Sequence, residues 1–195
     1  MDVMEGLLIA TGFFGALTLL YLLRTAHHAW FTPPSLEVHF SPKGGCTEAI
    51  VREIQLARHE ILVLAYSFTS QAIAQALVDA KLRGVHVDIV LDHSNEHEVH
   101  TDLHFFLEQG LAPVIDPQHA IAHNKVMILD NRTLLTGSFN FTQHAENENA
   151  ENLLVIKGHP ALVRTYKENF HKHKSHARPA EVKGSQGKAA PRHAA

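Results

Sequence analysis

Cysteine is almost absent from this 195-residue chain, which contains only Cys46. A lone cysteine excludes an intrachain disulfide and says little about the redox compartment. A basic excess is missing too, because 17 Lys and Arg residues stand against 20 Asp and Glu residues. The overall composition therefore lacks the electrostatic footprint typical of a nucleic-acid-binding domain.

The basic residues that are present concentrate at the C-terminal end. Residues 171–195 hold six Lys or Arg and one acidic residue, whereas the first 170 residues hold eleven basic and nineteen acidic ones. The final residues, 173–195, are also rich in Ala, Pro, Gly and Lys, and we expect them to form a disordered basic tail. Such a tail is most often a solubilising end, and the alternatives are contact with nucleic acid or with anionic lipid.

Charge is missing altogether from residues 6–23, which as a helix would span about 27 Å, close to the roughly 30 Å hydrocarbon core. We expect a single-pass membrane anchor within residues 1–30, followed by a linker over 31–35. A cleaved secretory signal and a buried helix are the alternatives. Acidic residues rather than Lys or Arg precede the apolar run, which argues against a signal. Arg24 favours a cytoplasmic location for the rest of the chain, with a periplasmic or other compartment as the alternative.

The remaining residues, 36–172, alternate between strand and helix patterns. Residues 36–40, 60–66 and 85–91 are typical of strands, and residues 48–58 and 71–83 are typical of helices. Continuously apolar strands imply that both faces of the sheet are covered. The pattern predicts one α/β domain, an α-β-α sandwich around a mixed, largely parallel central sheet.

One segment of this domain carries chemistry. Residues 125–129 and 133–136 are typical of two strands joined by a turn at Asp130-Asn131. Residues two apart on a strand share a face, so His123 and Lys125 would project together. Gly137 permits close backbone approach, and the polar side chains that follow can bind phosphoryl oxygens. This combination favours an anionic, oxygen-rich substrate.

The combination also resembles a known signature. His123-x-Lys125-x4-Asp130, followed by Gly-Ser138-x-Asn140, is similar to the motif of the phospholipase D superfamily. Residues 137–142 (GSFNFT) resemble its small bacterial endonuclease branch, and the similarity covers roughly residues 36–172. Related mitochondrial members, with nuclease and proposed cardiolipin hydrolase roles, are similar in plan. Their cysteine-histidine finger is not evident in this chain.

The resemblance implies a mechanism. His123 would attack phosphorus and form a phosphohistidine intermediate. Lys125 and Asn140 would hold the nonbridging oxygens, and Ser138 would support phosphate binding. Asp130 belongs to the catalytic signature as a structural, hydrogen-bonding member.

A further acidic residue, Glu151, completes the set that the resemblance implies. It would orient a histidine and favour its charged form. No metal or other cofactor enters this scheme, because lysine and positioned amides supply the charge stabilisation.

The motif occurs once, whereas the family mechanism uses two histidines, one as nucleophile and one as general acid. A second chain would have to supply the second histidine, so we expect a homodimer with a composite site. The expected activity is phosphodiester hydrolysis, with DNA or RNA favoured as substrate. A phospholipid headgroup is the alternative, and a silent phosphate-binding membrane protein is a third possibility.

Other histidines need a separate interpretation. His93, His97, His100 and His104 would form a stripe along one helix. We expect a solvated helix edge, with a rim of the substrate cleft as the functional alternative. The C-terminal histidines at 171, 173 and 176 could bind metal adventitiously.

Overall fold

Eight strands form one continuous sheet in the part of the chain from Ser35 onward. The computed structural model describes residues 15, 17–21, 34–96 and 102–180. The strands are β1 (Ser35–Phe40), β2 (Glu60–Ala65), β3 (His86–Asp92), β4 (Val114–Asp116), β5 (Lys125–Leu129), β6 (Thr133–Gly137), β7 (Asn152–Lys157) and β8 (Arg178–Pro179). Their order across the sheet is β1-β7-β6-β5-β2-β3-β4-β8.

Five helices and one short 3₁₀ turn connect these strands within the described residues. The helices are α1 (Cys46–Leu56), α2 (Gln71–Leu82), α3 (Leu103–Glu108), α4 (Gln143–Asn147) and α5 (Pro160–His176), and the 3₁₀ turn is His93–Glu96. The strands and helices predicted between residues 36 and 91 are all present, each within two residues of its predicted bounds. The α/β class and the mixed sheet are therefore confirmed.

The sheet is not largely parallel, and that part of the prediction is wrong. Only the β2–β3 and β3–β4 pairs are parallel, and the other five neighbouring pairs are antiparallel. Helical crossovers join the parallel strands, whereas a short turn joins β5 to β6. A continuously apolar strand indicates that both of its faces are buried. It does not indicate whether the neighbouring strands run parallel or antiparallel to it.

Two apolar cores flank the sheet, which makes the architecture a sandwich as predicted. The first core packs α1, α2 and α3 against one face and includes Ile50, Leu77 and Phe106, all fully buried. The second lies under α5, where Val163 and Phe170 cover β2, β3 and β5. Helix α5 therefore covers the opposite face of the sheet.

The predicted hairpin is confirmed. Strands β5 and β6 pair from Val126–Thr136 to Leu129–Thr133. Asp130 and Asn131 both have positive φ, 51° and 55°, at the turn between them. Acidic and amide side chains tolerate this left-handed region better than most residues do, which explains the turn.

Several predictions fall wholly or partly outside the described residues. Most of the candidate anchor 6–23, the linker 31–35 and residues 181–195 of the tail are among them. The first part of the predicted disordered tail 173–195 is instead ordered, because residues 173–176 end α5 and β8 pairs with β4. Residues 15 and 17–21 are helical and exposed, and they belong to a separate N-terminal unit. Across residues 15, 17–21, 34–96 and 102–180, no helix has the length and apolarity needed to cross a membrane.

The histidine stripe is described at its two ends alone. His93 begins the 3₁₀ turn, His104 is exposed on α3, and the intervening His97 and His100 lie outside the described residues.

Candidate active site

The loop before β5 presents the first residue of the motif. His123 is exposed, and its ring lies 4.6 Å from the ring of Tyr66, measured between centroids and tilted by 58°. The backbone N–H of Ala122 donates to the buried Asp92 carboxylate at 2.6 Å, and Tyr66 N–H donates to the Asn124 carbonyl at 2.8 Å. These bonds fix the backbone on both sides of His123, so an accessible imidazole is carried by a positioned loop.

Lys125 begins β5 and projects into the protein beside His123. Its side chain is 7% exposed, and its ammonium lies 5.1 Å from the centre of the Tyr66 ring and 3.4 Å from the His123 carbonyl. Burial lowers the pKa of Lys125, and the nearby carboxylate of Glu151 opposes this effect. Among the described residues, Lys125 forms no ion pair within 4 Å, so its ammonium is available to an incoming anion.

The Gly137-Ser138 pair shapes the neighbouring part of the site. Gly137 has φ of 151°, and a Cβ there would lie 2.3 Å from the carbonyl oxygen of Asn152. No side chain fits in that space. The Ser138 hydroxyl oxygen accepts hydrogen bonds from the Asn152 backbone at 3.0 Å and from its amide nitrogen at 3.2 Å. The Ser138 hydroxyl hydrogen remains available to a phosphoryl oxygen.

Asn140 lies in the loop that follows β6. Its Oδ1 atom is buried and has no hydrogen-bond partner among the residues that the structure describes. An unpaired buried polar atom is costly, and such atoms in native proteins often mark a functional site. Because Oδ1 is an acceptor, a bound molecule would have to offer it a donor such as a hydroxyl group, whereas a nonbridging phosphoryl oxygen would have to meet the Asn140 amide N–H groups.

Glu151 immediately precedes β7, at the same end of the sheet as Lys125. Its Oε1 atom accepts from the Asn149 side chain at 3.3 Å, and its backbone is held by Ser41. The contacts of this carboxylate within the described chain do not include His123. The role of Glu151 in orienting a histidine therefore stays a prediction.

The structure does not bring Asp130 to this site. Asp130 follows the far end of β5, which at about 3.3 Å per residue puts it roughly 16 Å along the strand from Lys125. Its carboxylate accepts backbone hydrogen bonds from Arg58, His59 and Glu60 at 2.7 to 2.9 Å. The inclusion of Asp130 among the catalytic residues is thus corrected, and its expected hydrogen-bonding role agrees with this position.

Sequence reasoning missed two residues that support the site. Tyr66 lies under both His123 and Lys125, and its carbonyl accepts from the buried Asn95 side chain at 2.6 Å. Asn152 holds Ser138. Both residues lie inside segments already noted as similar to the family, but only the paired strands reveal what they contact.

An exposed imidazole beside a buried ammonium, with hydroxyl and amide groups at the same end of a mixed sheet, defines an enzyme site of the phosphodiesterase class. The chain belongs to the phospholipase D-like family, because the family model described as "Cardiolipin synthase, PLD-like domain" matches residues 50–174. This match covers more than half of the chain.

Individual relatives agree with this assignment. The chain is 42% identical over 131 residues to a phospholipase D of Rickettsia bellii, covering 67% of this chain and 65% of the relative. It is 32% identical over 110 residues to a mitochondrial cardiolipin hydrolase of Chlamydomonas reinhardtii, covering 56% and 49%. The chain thus spans slightly less than two thirds of the first relative's length.

A solved structure is similar as well. The phospholipase D family member Nuc from Salmonella typhimurium matches with a TM-score of 0.73 and 37% sequence identity. The match covers 75% of this chain and 98% of Nuc. The domain of this chain therefore corresponds to nearly the whole of that structure.

Proposed function

We propose that this chain hydrolyses phosphodiester bonds through a phosphohistidine formed on His123. The observation that carries the proposal is the pairing of an exposed His123 ring with the buried Lys125 ammonium above one tyrosine ring. A nucleophile must be reachable, and a cation shielded from water interacts more strongly with phosphate than an exposed one does.

The proposed reaction has two steps. The His123 imidazole attacks phosphorus, a P–N bond forms, and the P–O bond to the leaving alcohol breaks as that oxygen takes a proton from a general acid. Water then attacks the phosphorus of the phosphohistidine and gives a proton to the deprotonated general acid, and the P–N bond breaks to release the phosphomonoester and free His123. Lys125, Ser138 and Asn140 would neutralise and hold the nonbridging oxygens in both steps.

The general acid is proposed to be His123 of a second copy of the chain. Each chain contains the motif once, and general acid catalysis typically contributes about 10²- to 10⁴-fold. The edge strand β1 supports a dimer, because its Leu36, Val38 and Phe40 side chains are 65%, 52% and 62% exposed. Phe40 pairs with Asn152, so this apolar row ends beside the candidate active site.

Nucleic acid is the substrate that we favour. The close GSFNFT match to the endonuclease branch at residues 137–142, and the small single-motif domain of this chain, which matches 98% of Nuc, support this choice. The acidic body of the chain argues against a long binding surface, so contacts would concentrate in the site and in the basic C-terminal end.

A phospholipid is the second candidate substrate. The named relatives are a phospholipase D and a cardiolipin hydrolase, and the matching family description refers to cardiolipin synthase. The uncharged segment 6–23, which we propose as a membrane anchor with the rest of the chain on the cytoplasmic side, would bring the site to lipid.

The decisive experiment assays both substrate classes side by side in EDTA. The full chain is offered single- and double-stranded DNA, RNA, and vesicles of phosphatidylcholine or cardiolipin, with folding verified by circular dichroism in the same buffer. We expect cleavage of nucleic acid, and a fall of at least about 10³-fold for His123→Ala, because the nucleophile is lost.

The matched control is His86→Ala, which removes an exposed imidazole at the opposite end of the sheet from Lys125. This variant should keep full activity. If His123→Ala stays active, the phosphohistidine mechanism fails. Turnover of lipid without any cleavage of nucleic acid would instead favour the second candidate.

A further inference from the structure

Three imidazoles converge on one buried carboxylate at the β4 edge of the sheet. His173 Nδ1 lies 2.6 Å from Asp116 Oδ2, His119 Nδ1 lies 2.9 Å from the same oxygen, and His176 Nε2 lies 3.1 Å from Oδ1. The potential ligand atoms of these four residues all lie within 4.8 Å of one another. None of the four belongs to the proposed phosphate chemistry.

The fold assembles this cluster from three separate elements. Asp116 is the last residue of β4 and is fully buried, and His119 follows three residues later in the loop. His173 and His176 lie three residues apart in the last turn of α5, which places both on one face of that helix. The two α5 side chains are only 10% and 13% exposed.

The chemistry of this donor set points to a transition metal. Three imidazole nitrogens and one carboxylate oxygen are ligands that Zn²⁺ takes in tetrahedral sites. Bond lengths of about 2.0 to 2.1 Å separate tetrahedral ligand atoms by roughly 3.3 Å. The separations of 2.6 to 3.1 Å around Asp116 would therefore have to widen by roughly 0.2 to 0.7 Å, and ligand atoms as far as 4.8 Å apart would have to move closer together.

An ion could reach the cluster from one side. His119 is 42% exposed and lines a cavity of about 460 Å³ together with His93 and Gln118. The backbone N–H of Gln118 donates to Asp116 Oδ1 at 2.9 Å and so holds the carboxylate in place. In other metalloproteins, a hydrogen bond from a group that does not bind the metal likewise orients the metal-binding carboxylate.

We propose that Asp116, His119, His173 and His176 form a structural Zn²⁺ site. With four protein ligands the coordination sphere is complete, and this arrangement is typical of structural rather than catalytic zinc. The ion would tie the C-terminal end of α5 to the loop between β4 and β5. That loop continues to His123, so the site would stabilise the backbone that carries the nucleophile without contacting substrate.

The alternative is a hydrogen-bonded network, in which each imidazole donates an N–H to Asp116. The distances around Asp116 permit these hydrogen bonds without a metal ion. A measurement of metal binding therefore distinguishes the hydrogen-bonded network from the zinc site. The test uses the full chain without an affinity tag, stripped with chelator and titrated with Zn²⁺ by calorimetry. Metal content and thermal melting are measured in parallel.

We expect one Zn²⁺ per chain and a rise in Tm of roughly 5 to 10 °C at a hundredfold excess over Kd. His119→Gln and His176→Gln should each weaken binding at least about 100-fold, since even outer-shell partners contribute 10- to 100-fold. His119→Gln changes a half-exposed side chain, and it keeps the test informative if His176→Gln fails to fold.

Two control variants complete the design. His171→Gln removes an exposed histidine of the same helix and should bind Zn²⁺ as the wild-type chain does. His123→Ala should also bind normally, so failure of the zinc site is distinguishable from failure of the catalytic proposal. Absence of stoichiometric binding, or unchanged affinity in a folded His119→Gln chain, would leave a hydrogen-bonded network and overturn the proposal.

Discussion

At the residue scale, burial changes the pKa values of two ionisable side chains, Lys125 and Asp102. Lys125 is shielded from water, and its pKa falls for that reason. Asp102, at the start of α3, is 8% exposed, and burial raises its pKa to about 6. Its Oδ2 atom has no hydrogen-bond partner in the described part of the chain. Ionisation of this carboxyl group therefore destabilises the fold.

The effect of Asp102 on stability should depend on pH. Its folded-state pKa is raised from 3.8 to about 6, so the associated stability is fully present below about pH 4 and is lost as pH rises through 6. Asp102→Asn cannot ionise. Between about pH 4 and pH 8 we expect the free energy of unfolding of Asp102→Asn to gain about 1 to 3 kcal/mol relative to wild type.

Urea denaturation of both chains at the two pH values measures this relative gain. Asp79→Asn, at an exposed position of α2, is the control and should show no such pH dependence. A difference between Asp102→Asn and wild type that stays constant with pH would show that Asp102 ionises freely in the fold.

At the element scale, the β5–β6 hairpin connects the active site to the opposite end of the sheet. Lys125 begins β5, and Asp130 begins the turn after it. The turn is tied to the start of β2 by three backbone N–H groups that donate to the Asp130 carboxylate. The aspartate of the motif therefore holds the strand that carries the lysine, from the end remote from the substrate.

Replacement of Asp130 should reduce stability rather than chemistry. We expect Asp130→Ala to lower the free energy of unfolding by about 2 to 4 kcal/mol, because charged hydrogen bonds are lost and alanine disfavours positive φ. The kcat of the protein that remains folded should change by no more than a few fold, measured well below the Tm.

Asp79→Ala, which loses one exposed hydrogen bond to Gln75, should cost no more than about 0.5 kcal/mol. If Asp130→Ala instead loses as much activity as His123→Ala while its unfolding curve is unchanged, Asp130 takes part in the chemistry.

At the scale of the whole molecule, the proposed chemistry uses two histidines and the chain provides one motif. The proposed dimer would bury the exposed apolar row on β1. A stable interface keeps charged residues out of its centre, so a charge within this row should separate the subunits. Activity per chain would then depend on chain concentration, which is not expected of a monomeric enzyme.

Val38→Glu tests this dependence away from the active site. We expect its dimer to dissociate at least about tenfold more readily than the wild-type dimer, with activity per chain recovering as concentration rises. Sedimentation velocity and initial rates measure the two quantities. Leu82→Glu is the control, since Leu82 is 79% exposed at the end of α2. A monomeric Val38→Glu chain with full activity would refute the composite site.

The sequence alone determined the family, the α/β class, the strands and helices between residues 36 and 91, and the β5–β6 hairpin, and it supplied the residues that we propose bind phosphate. These features depend on neighbours within a few positions, such as the His123-x-Lys125 spacing or the Asp130-Asn131 turn, although His123 itself lies in the loop before β5 and not on the strand. The tertiary structure decided the features that join distant segments. They include the largely antiparallel strand order, the place of Asp130 at the far end of β5, and the support that Tyr66 gives to the site.

The cluster around Asp116 illustrates the difference most directly. The sequence drew attention to histidines near the C-terminal end, but it gave no reason to connect His173 and His176 with Asp116 or His119, more than fifty residues earlier. Their meeting depends on where α5 crosses the sheet, because local periodicity specifies which side chains share a helix face and only packing specifies what that face contacts.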